Sequence, residues 1–449
     1  MSHAALAQAL AKANDTREVL IESGALRKTD AVLTRCFGDQ GVGLVADDNT
    51  YAAAGEALAQ HLRSAGRRIA VTHVFPGTPR LHPDIEHVDT LVKALAADQV
   101  VPVAVGSGVI NDLTKLAAHR LGRPYAVVGT AASMDGYTSF ASAITHQGVK
   151  MVDPCPAPRA FIADLDVVAA APVGMSASGY GDLVGKYTAL ADWRIAHELG
   201  IEAIEPVSWQ LMEQGLGPWT SQPERVRSGD REALRDLLEG LVIAGLAMQI
   251  SSSTRAASGS EHLFSHLWEM QGLTHSGESV PHGIQVGLGT LASSSLLHWL
   301  IGHGLGDLPV EARAWPSAGQ LEAEIRRAHP DPIQADQAVR ESLAKHPSPE
   351  QLSERLRRAK QVWPELRHFL LGWCPAPETL RSWLSAAGCP TTPGQIGLTR
   401  SRLRDSFALA RQVRTRYTVL DLAVETGLLG PALDSLFSPQ GFWGGDLPA

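Results

Sequence analysis

Val100 to Gly108 reads VVPVAVGSG, and Val109 to Leu121 continues as VINDLTKLAAHRL. The first segment is an unbroken apolar run closed by a Gly-x-Gly turn. The second carries apolar residues at the three- and four-residue spacing of a helix. Strand, glycine turn and helix form the unit from which parallel α/β sheets are built. The same unit is a ready anion site, because glycine lets the backbone approach a ligand and the first helical N–H groups point at it. The full G-x-G-x-x-G fingerprint is absent, since Asn111 stands at the third glycine position. A tight turn without a ligand fits these residues as well.

Working outward, the first ~170 residues alternate such apolar runs with helical patterns. Strands are predicted at Val42–Ala46, Ile69–Phe75, Val100–Val105, Tyr125–Val128 and Phe161–Asp164. Strands buried on both faces read as continuous apolar runs, as these do. After Pro172 the pattern changes, and segments such as Arg231–Ile250 and Leu403–Val413 carry helical spacing. The expectation is an α/β domain over 1–172 and an all-helical domain over 173–449, with the boundary near Ala171–Gly174. Asp307 to Leu371 is richer in charge and proline and reads as surface helices. Leu436 to Ala449 has little periodicity and is expected to fray.

Composition narrows the class. The chain has 449 residues, a soft prior of two or three domains at about 150 residues each. Its 39 basic and 47 acidic side chains give a formal charge of −8, against the basic surface that a nucleic-acid binder needs. With 44% hydrophobic and 19% charged residues it can bury a sizeable core. Cys36, Cys155, Cys374 and Cys389 are too sparse for a disulfide scaffold, and no C-x-x-C pair exists. Met1 to Val19 lacks the basic start and apolar core of a signal peptide. Val286 to Leu300 is broken by Ser293, Ser294, Ser295 and His298 and falls short of the roughly 20 apolar residues of a span. It reads as a buried helix, and the expected location is the cytoplasm.

Several polar residues bear on chemistry. Asp47, just past a strand, could accept hydrogen bonds from an adenosine ribose, which favours NAD, or be a solvated turn residue. Thr130-Ala-Ala-Ser133 follows the strand at Tyr125–Val128, with Asp135 and Ser139 beyond, where ligands bind in open α/β sheets. Of 17 histidines, most, such as His3, His61, His87 and His119, read as surface residues. His262 and His266 lie four apart on one helical face, after a Ser258-Gly-Ser-Glu261 stretch similar to a capping box. Leu263 stands where the zinc-protease motif needs glutamate, so that motif is absent. His282 sits between Pro281 and Gly283, a constrained place for a structural imidazole. Asp182, in Ser178–Lys186, is the best remaining carboxylate, although a helix cap would also explain it. One Asp with two His would leave an open metal position.

These residues assemble into a resemblance. GSGVINDLTK (Gly106–Lys115), TAASMDGYTS (Thr130–Ser139), GYGDLVGKYTALADW (Gly179–Trp193), SGSEHLFSHLWEM (Ser258–Met270), HGIQVG (His282–Gly287) and RTRYTVLDLA (Arg414–Ala423) resemble the sn-glycerol-1-phosphate dehydrogenases. That family lies within the superfamily of iron-containing alcohol dehydrogenase, glycerol dehydrogenase and dehydroquinate synthase. The resemblance implies a Rossmann-like α/β nucleotide-binding domain followed by an all-α metal-binding domain, with the active site in the cleft between them. It implies that Gly106, Gly108, Val109, Ile110, Asn111 and Asp112, with Thr130, Ala131, Ala132 and Ser133, cradle NAD(H) or NADP(H), and that Ser139 touches it. Asp135 would contact substrate, and His266 would line its pocket. Asp182, His262 and His282 would hold one divalent ion, Zn²⁺ or Ni²⁺. The implied reaction reduces dihydroxyacetone phosphate to sn-glycerol-1-phosphate, a step of phospholipid synthesis, in a homo-oligomer without a membrane span. His266 is the expected proton relay, on the ground that an imidazole titrates near working pH. The alternatives are another alcohol dehydrogenase of the superfamily and a dehydroquinate-synthase-like lyase, against which Asp182 leans, since that branch tends to glutamate there. Two departures stand out: Ser107 and Val109 replace glycine and serine of the family's turn, and Asp307–Leu371 has no clear counterpart. For the substrate phosphate, Lys186, Arg402, Arg411 and Arg414 are possible holders, each with a solvated or salt-bridged alternative.

Overall fold

The apolar runs pair into one six-stranded parallel sheet. Its strands are β1 (Glu18–Glu22), β2 (Val42–Asp47), β3 (Ile69–Phe75), β4 (Val101–Gly106), β5 (Ala126–Gly129) and β8 (Ala160–Asp164), in spatial order β1-β8-β5-β4-β2-β3. A computed structural model of the chain describes residues 2–146, 149–305 and 315–445. The five predicted strands are all present, shifted by no more than a residue at either end. β1 was not expected, because EVLIE has charged ends and lies half-buried along its length at the sheet edge. An antiparallel hairpin of β6 (Ala141–His146) and β7 (Val149–Pro154) was also not expected. Buried and half-buried residues alternate along its first strand, in place of a continuous apolar run.

The chain order fixes where a ligand can bind. From β2 the chain runs outward to the edge strand β3, then returns to β4 on the other side of β2 and continues to β5. The connections therefore diverge between β2 and β4, the switch point at whose carboxyl ends open α/β sheets bind ligands. Asp47 ends β2 and Gly106 ends β4, and Gly129, at the end of β5, pairs with Gly106. Val42, Leu44, Val103, Val105, Ala126, Val128 and Ile162 pack with Leu58 and Leu62 into the core of one sheet face.

Among the described residues no strand of this sheet lies beyond Asp164, and a helix begins at Val173. Compactness groups the residues into one unit of Met1–Leu183 with Val207–Thr254 and a second of Val184–Pro206 with Arg255–Ala449. The first unit thus holds the sheet and the Arg231–Ser251 helix; the second is almost wholly helical. The predicted helix at Leu403–Val413 divides into Arg400–Leu409 and a 3₁₀ turn, Ala410–Gln412.

In the second unit the His282–His303 helix is the one described helix long and apolar enough to cross a membrane, and 89% of its most apolar window is buried in the protein. Between 307 and 371 the chain forms helices Ala318–Ala328, Pro332–Lys345 and Pro349–Trp373. The first two share a small core of Leu321, Ile325, Ala338 and Val339. Residues 307–314 of that region, the side chain of His3 and the last four residues lie outside the described part. The expected fraying at the C-terminus does not hold up to residue 445. Trp443 is fully buried, its indole N–H donates to Ser295 Oγ at 3.1 Å, and Arg381 stacks on Phe442 at 3.6 Å. None of the four cysteines is in a disulfide, and three are buried.

Candidate active site

The glycine turn is shaped by packing. A Cβ on Gly106 would meet Ile110 Cβ at 2.7 Å, so only glycine lets β4 enter the Gly108–Arg120 helix at this angle. Ser107 caps that helix: its Oγ accepts from the Gly108 N–H at 2.6 Å and lies 3.0 Å from Ser133 Oγ. Gly108 and Val109 stay partly accessible at the helix N-terminus, whereas Ile110 turns into the core. Asn111 is fully buried: its amide donates to the Gly136 carbonyl at 3.3 Å, and Tyr125 donates to its Oδ1 at 3.2 Å. Asp112 accepts from the Ala143 N–H at 3.3 Å. The side chains of Asn111 and Asp112 therefore brace the loop beyond β5 and the hairpin.

That loop, Thr130–Ser139, is held from below by a residue that sequence reasoning did not single out. Lys115 is fully buried, and its Nζ donates to the carbonyls of Gly136 (2.9 Å), Ser139 (3.0 Å) and Ala141 (2.9 Å), and to Ser139 Oγ at 3.2 Å. Burial pushes its pKa down, while Asp112 favours the ammonium form. The signal was present: a lysine on the apolar side of the helix after a glycine turn must find acceptors. Ser139 Oγ also donates within its own loop, to Gly136 and Ala141. Thr130 N–H donates to the Gly106 carbonyl at 3.1 Å, tying the two turns together.

Two glycines seat helices on the loop. A Cβ at Gly179 would lie 2.0 Å from the Ala132 carbonyl oxygen, and one at Gly245 would lie 2.1 Å from Thr138 Oγ1. Asp182 lies three residues beyond Gly179 on the Val173–Val184 helix, hence on the same face. It is fully buried, and its Oδ2 accepts the Asp135 N–H at 3.0 Å. Asp47 serves as a cap: its Oδ1 accepts from the Thr50 N–H at 2.8 Å, and Thr50 Oγ1 accepts from the Asp47 N–H at 3.0 Å.

The histidines come from two helices of the second unit. His262 and His266 lie on Ser260–Met270, and His282 opens His282–His303. The expected capping box is displaced by one residue. Gly259 is the N-cap, Ser258 Oγ accepts from Arg416, and the Glu261 carboxylate reaches back to the Gly259 N–H at 2.6 Å. The same Glu261 oxygen faces His262 Nδ1 at 2.8 Å, and its other oxygen accepts from Thr188 Oγ1 at 2.8 Å. His282 Nδ1 is 3.1 Å from both Ser265 Oγ and Glu269 Oε1. Each imidazole thus has its Nδ1 engaged by a carboxylate, which holds the ring and leaves Nε2 as the nitrogen able to ligate a metal. The His262 and His282 ring centroids are 5.2 Å apart. His262 and His282 in the second unit and Asp182 in the first are residues whose donor atoms can ligate a metal ion. Such a mixed carboxylate and imidazole donor set suits a divalent transition ion.

His266 sits 6.0 Å from each of the other two rings, and its buried Nδ1 has no hydrogen-bond partner among the described residues. Burial pushes its pKa well below 6.5, and the Arg414 charge adds to this. Nearby, Asp192 accepts from the Ser260 and Val419 N–H groups, each at 2.6 Å, and burial beside Glu261 lifts its pKa to about 7.

Comparison with known proteins places this arrangement. A family model for iron-containing alcohol dehydrogenases matches residues 20–172. Maleylacetate reductase from Agrobacterium tumefaciens shares the fold at a TM-score of 0.59 and 17% identity, over 94% of this chain and 96% of that one. The fold is therefore that of the iron-containing alcohol dehydrogenase class. A glycerol-1-phosphate dehydrogenase (NAD(P)+) from Geobacillus stearothermophilus is 31% identical over 381 residues, 84% of this chain and 85% of the relative. One of the same name from Halalkalibacterium halodurans is 38% identical over 258 residues, 57% of this chain and 64% of the relative. The chain belongs to the glycerol-1-phosphate dehydrogenase family.

Proposed function

We propose that this chain reduces dihydroxyacetone phosphate to sn-glycerol-1-phosphate with NADH or NADPH. The observation that carries the reading is the His262 and His282 pair, whose rings lie 5.2 Å apart with both imidazoles backed by carboxylates. In this reading Ser107, Gly108 and Val109 present helix N–H groups to the dinucleotide phosphates, and the loop from Thr130 to Ser133 forms the adjoining wall. Asp47, at the switch point, faces the ribose and favours NAD. Hydride moves from the nicotinamide to the carbonyl carbon and a proton goes to its oxygen, leaving a secondary alcohol and oxidised dinucleotide.

Asp182, His262 and His282 hold the metal, and a bound Zn²⁺ or Ni²⁺ supplies Lewis acidity toward the substrate carbonyl. Asp135, whose backbone is fixed to Asp182, orients the substrate hydroxyl. His266 relays the proton to the substrate oxygen, a role compatible with desolvation disfavouring its charged form.

The test is dinucleotide oxidation with dihydroxyacetone phosphate, on metal-stripped protein refilled in parallel with Zn²⁺ and Ni²⁺. Metal-dependent turnover giving the sn-1 product supports the reading and ranks the ions. Silence with every ion, from folded protein that binds NADH, sinks the substrate assignment.

A further inference from the structure

The geometry points to Arg414 as the residue that receives the phosphate of a phosphomonoester substrate, beside His266. This assignment rests on the reading above and adds the group that would distinguish a phosphorylated from an unphosphorylated ketone.

The structure sorts the four cations that the sequence offered. Lys186 is wholly buried, with its charge felt by the Glu261 carboxylate. Arg402 donates through Nε and Nη2 to Gln271 Oε1, at 3.1 and 2.9 Å. Arg411 is buried against Asp421, with Nε 3.2 Å from its Oδ1, and Lys345 shares that carboxylate at 2.9 Å. Arg414 differs: it is half-buried, yet among the described residues it makes no hydrogen bond and no ion pair. A partly desolvated guanidinium with five donors is a costly group to leave unmatched.

Its position gives that imbalance a direction. The Ala410–Gln412 turn, two residues before Arg414, packs on the Ser260–Met270 helix that carries His262 and His266. The Arg414 charge reaches His266 on one side and Arg416 on the other. Arg416 is itself half-buried beside Arg255, and desolvation, with this crowding of like charge, lowers its pKa to about 10. Of the carboxylates that face Arg416, Glu202 is paired to Arg255 at 2.8 Å, and Glu261 is bonded to His262. Arg414 therefore stands between a second guanidinium, Arg416, and an imidazole, His266, whose buried Nδ1 lacks a partner among the described residues. A phosphate dianion would match the planar fork of Arg414 bidentately and bring acceptors to the remaining donors.

The test uses the metal-loaded enzyme and its Arg414→Met and Arg414→Lys variants, with thermal unfolding to check that each is folded. Calorimetric titration with inorganic phosphate measures the site without turnover. Steady-state kinetics then compare dihydroxyacetone phosphate with dihydroxyacetone. Arg414→Met should weaken phosphate binding about tenfold or more and raise KM for dihydroxyacetone phosphate by about 10- to 100-fold. The effect on kcat should be smaller, so the preference for the phosphorylated ketone collapses. Arg414→Lys should recover part of the binding, because an ammonium keeps the charge without the fork.

Phosphate binding and substrate preference equal to the parent's in folded Arg414→Met would overturn the assignment, even if the parent reduces dihydroxyacetone phosphate well. A parent that fails to reduce it, with phosphate binding still lost in Arg414→Met, would remove the proposed reaction and support the anion site.

Discussion

His262 Nδ1 lies 2.8 Å from an oxygen of Glu261, its neighbour in sequence. Glu261 is fully buried, and burial raises its pKa, but the Gly259 N–H, the Thr188 hydroxyl and the nearby Lys186 charge all favour its carboxylate. The pair fixes which imidazole nitrogen is free to bind a metal. Glu261→Gln keeps the shape and removes the charge, and should lower metal affinity about 10- to 100-fold. Competition with a chelator, followed by metal analysis, reads this directly. Affinity equal to the parent's would mean that Glu261 only caps the helix.

Lys115 replaces water for three carbonyls under the Thr130–Ser139 loop. Lys115→Met would leave buried acceptors unmatched at about 1–3 kcal/mol each, so the loss should be at least about 3 kcal/mol. NADH affinity should fall with it, since the loop is the proposed dinucleotide wall. Denaturant unfolding and a fluorescence titration separate the two effects. Normal NADH binding in a destabilised variant would confine Lys115 to a structural role.

Asp47 is both a cap and the residue at the switch point. Asp47→Ala should cost about 1 kcal/mol through the lost cap. If its carboxylate also meets the ribose, KM for NADH should rise while KM for NADPH changes little or falls. An equal rise for both dinucleotides would leave Asp47 as a cap alone.

Glu425 is buried next to Asp421, and burial lifts its pKa from 4.5 to about 7, although Arg355 and the Tyr417 hydroxyl favour the carboxylate. The folded state therefore holds this proton more tightly than the unfolded chain. Its contribution to stability is complete below about pH 4.5 and is lost as pH rises through about 7. Glu425→Gln, neutral throughout, should flatten the fall in Tm across that window. An unchanged slope would show that Glu425 is not the group responsible.

Much of the fold was legible because the central strands are buried on both faces and therefore spell continuous apolar runs. Val101–Gly106 and its glycine turn are the plainest case. Edge and hairpin strands carry no such signature: Glu18–Glu22 is half-buried and held by its pairing with Ala160–Asp164, a partner more than a hundred residues away. The C-terminal tail looked aperiodic because a single tryptophan, Trp443, anchors it.

Residue types and local spacing determined that the chain contains a parallel α/β unit, a glycine turn before a helix, and an unusual set of Asp and His residues. Those are short-range properties of the polymer: burial period, turn chemistry and helical spacing act within about a turn or two. Only tertiary structure decided that the His262 and His282 rings, on two different helices, stand 5.2 Å apart. It alone showed that Lys115 holds a loop, that desolvation disfavours a charge on His266, and that Arg414 among four similar cations has no hydrogen-bond or ion-pair partner among the described residues. The reason is physical. Burial, desolvation and the matching of a charge depend on what packs around a side chain, and those neighbours come from distant parts of the chain.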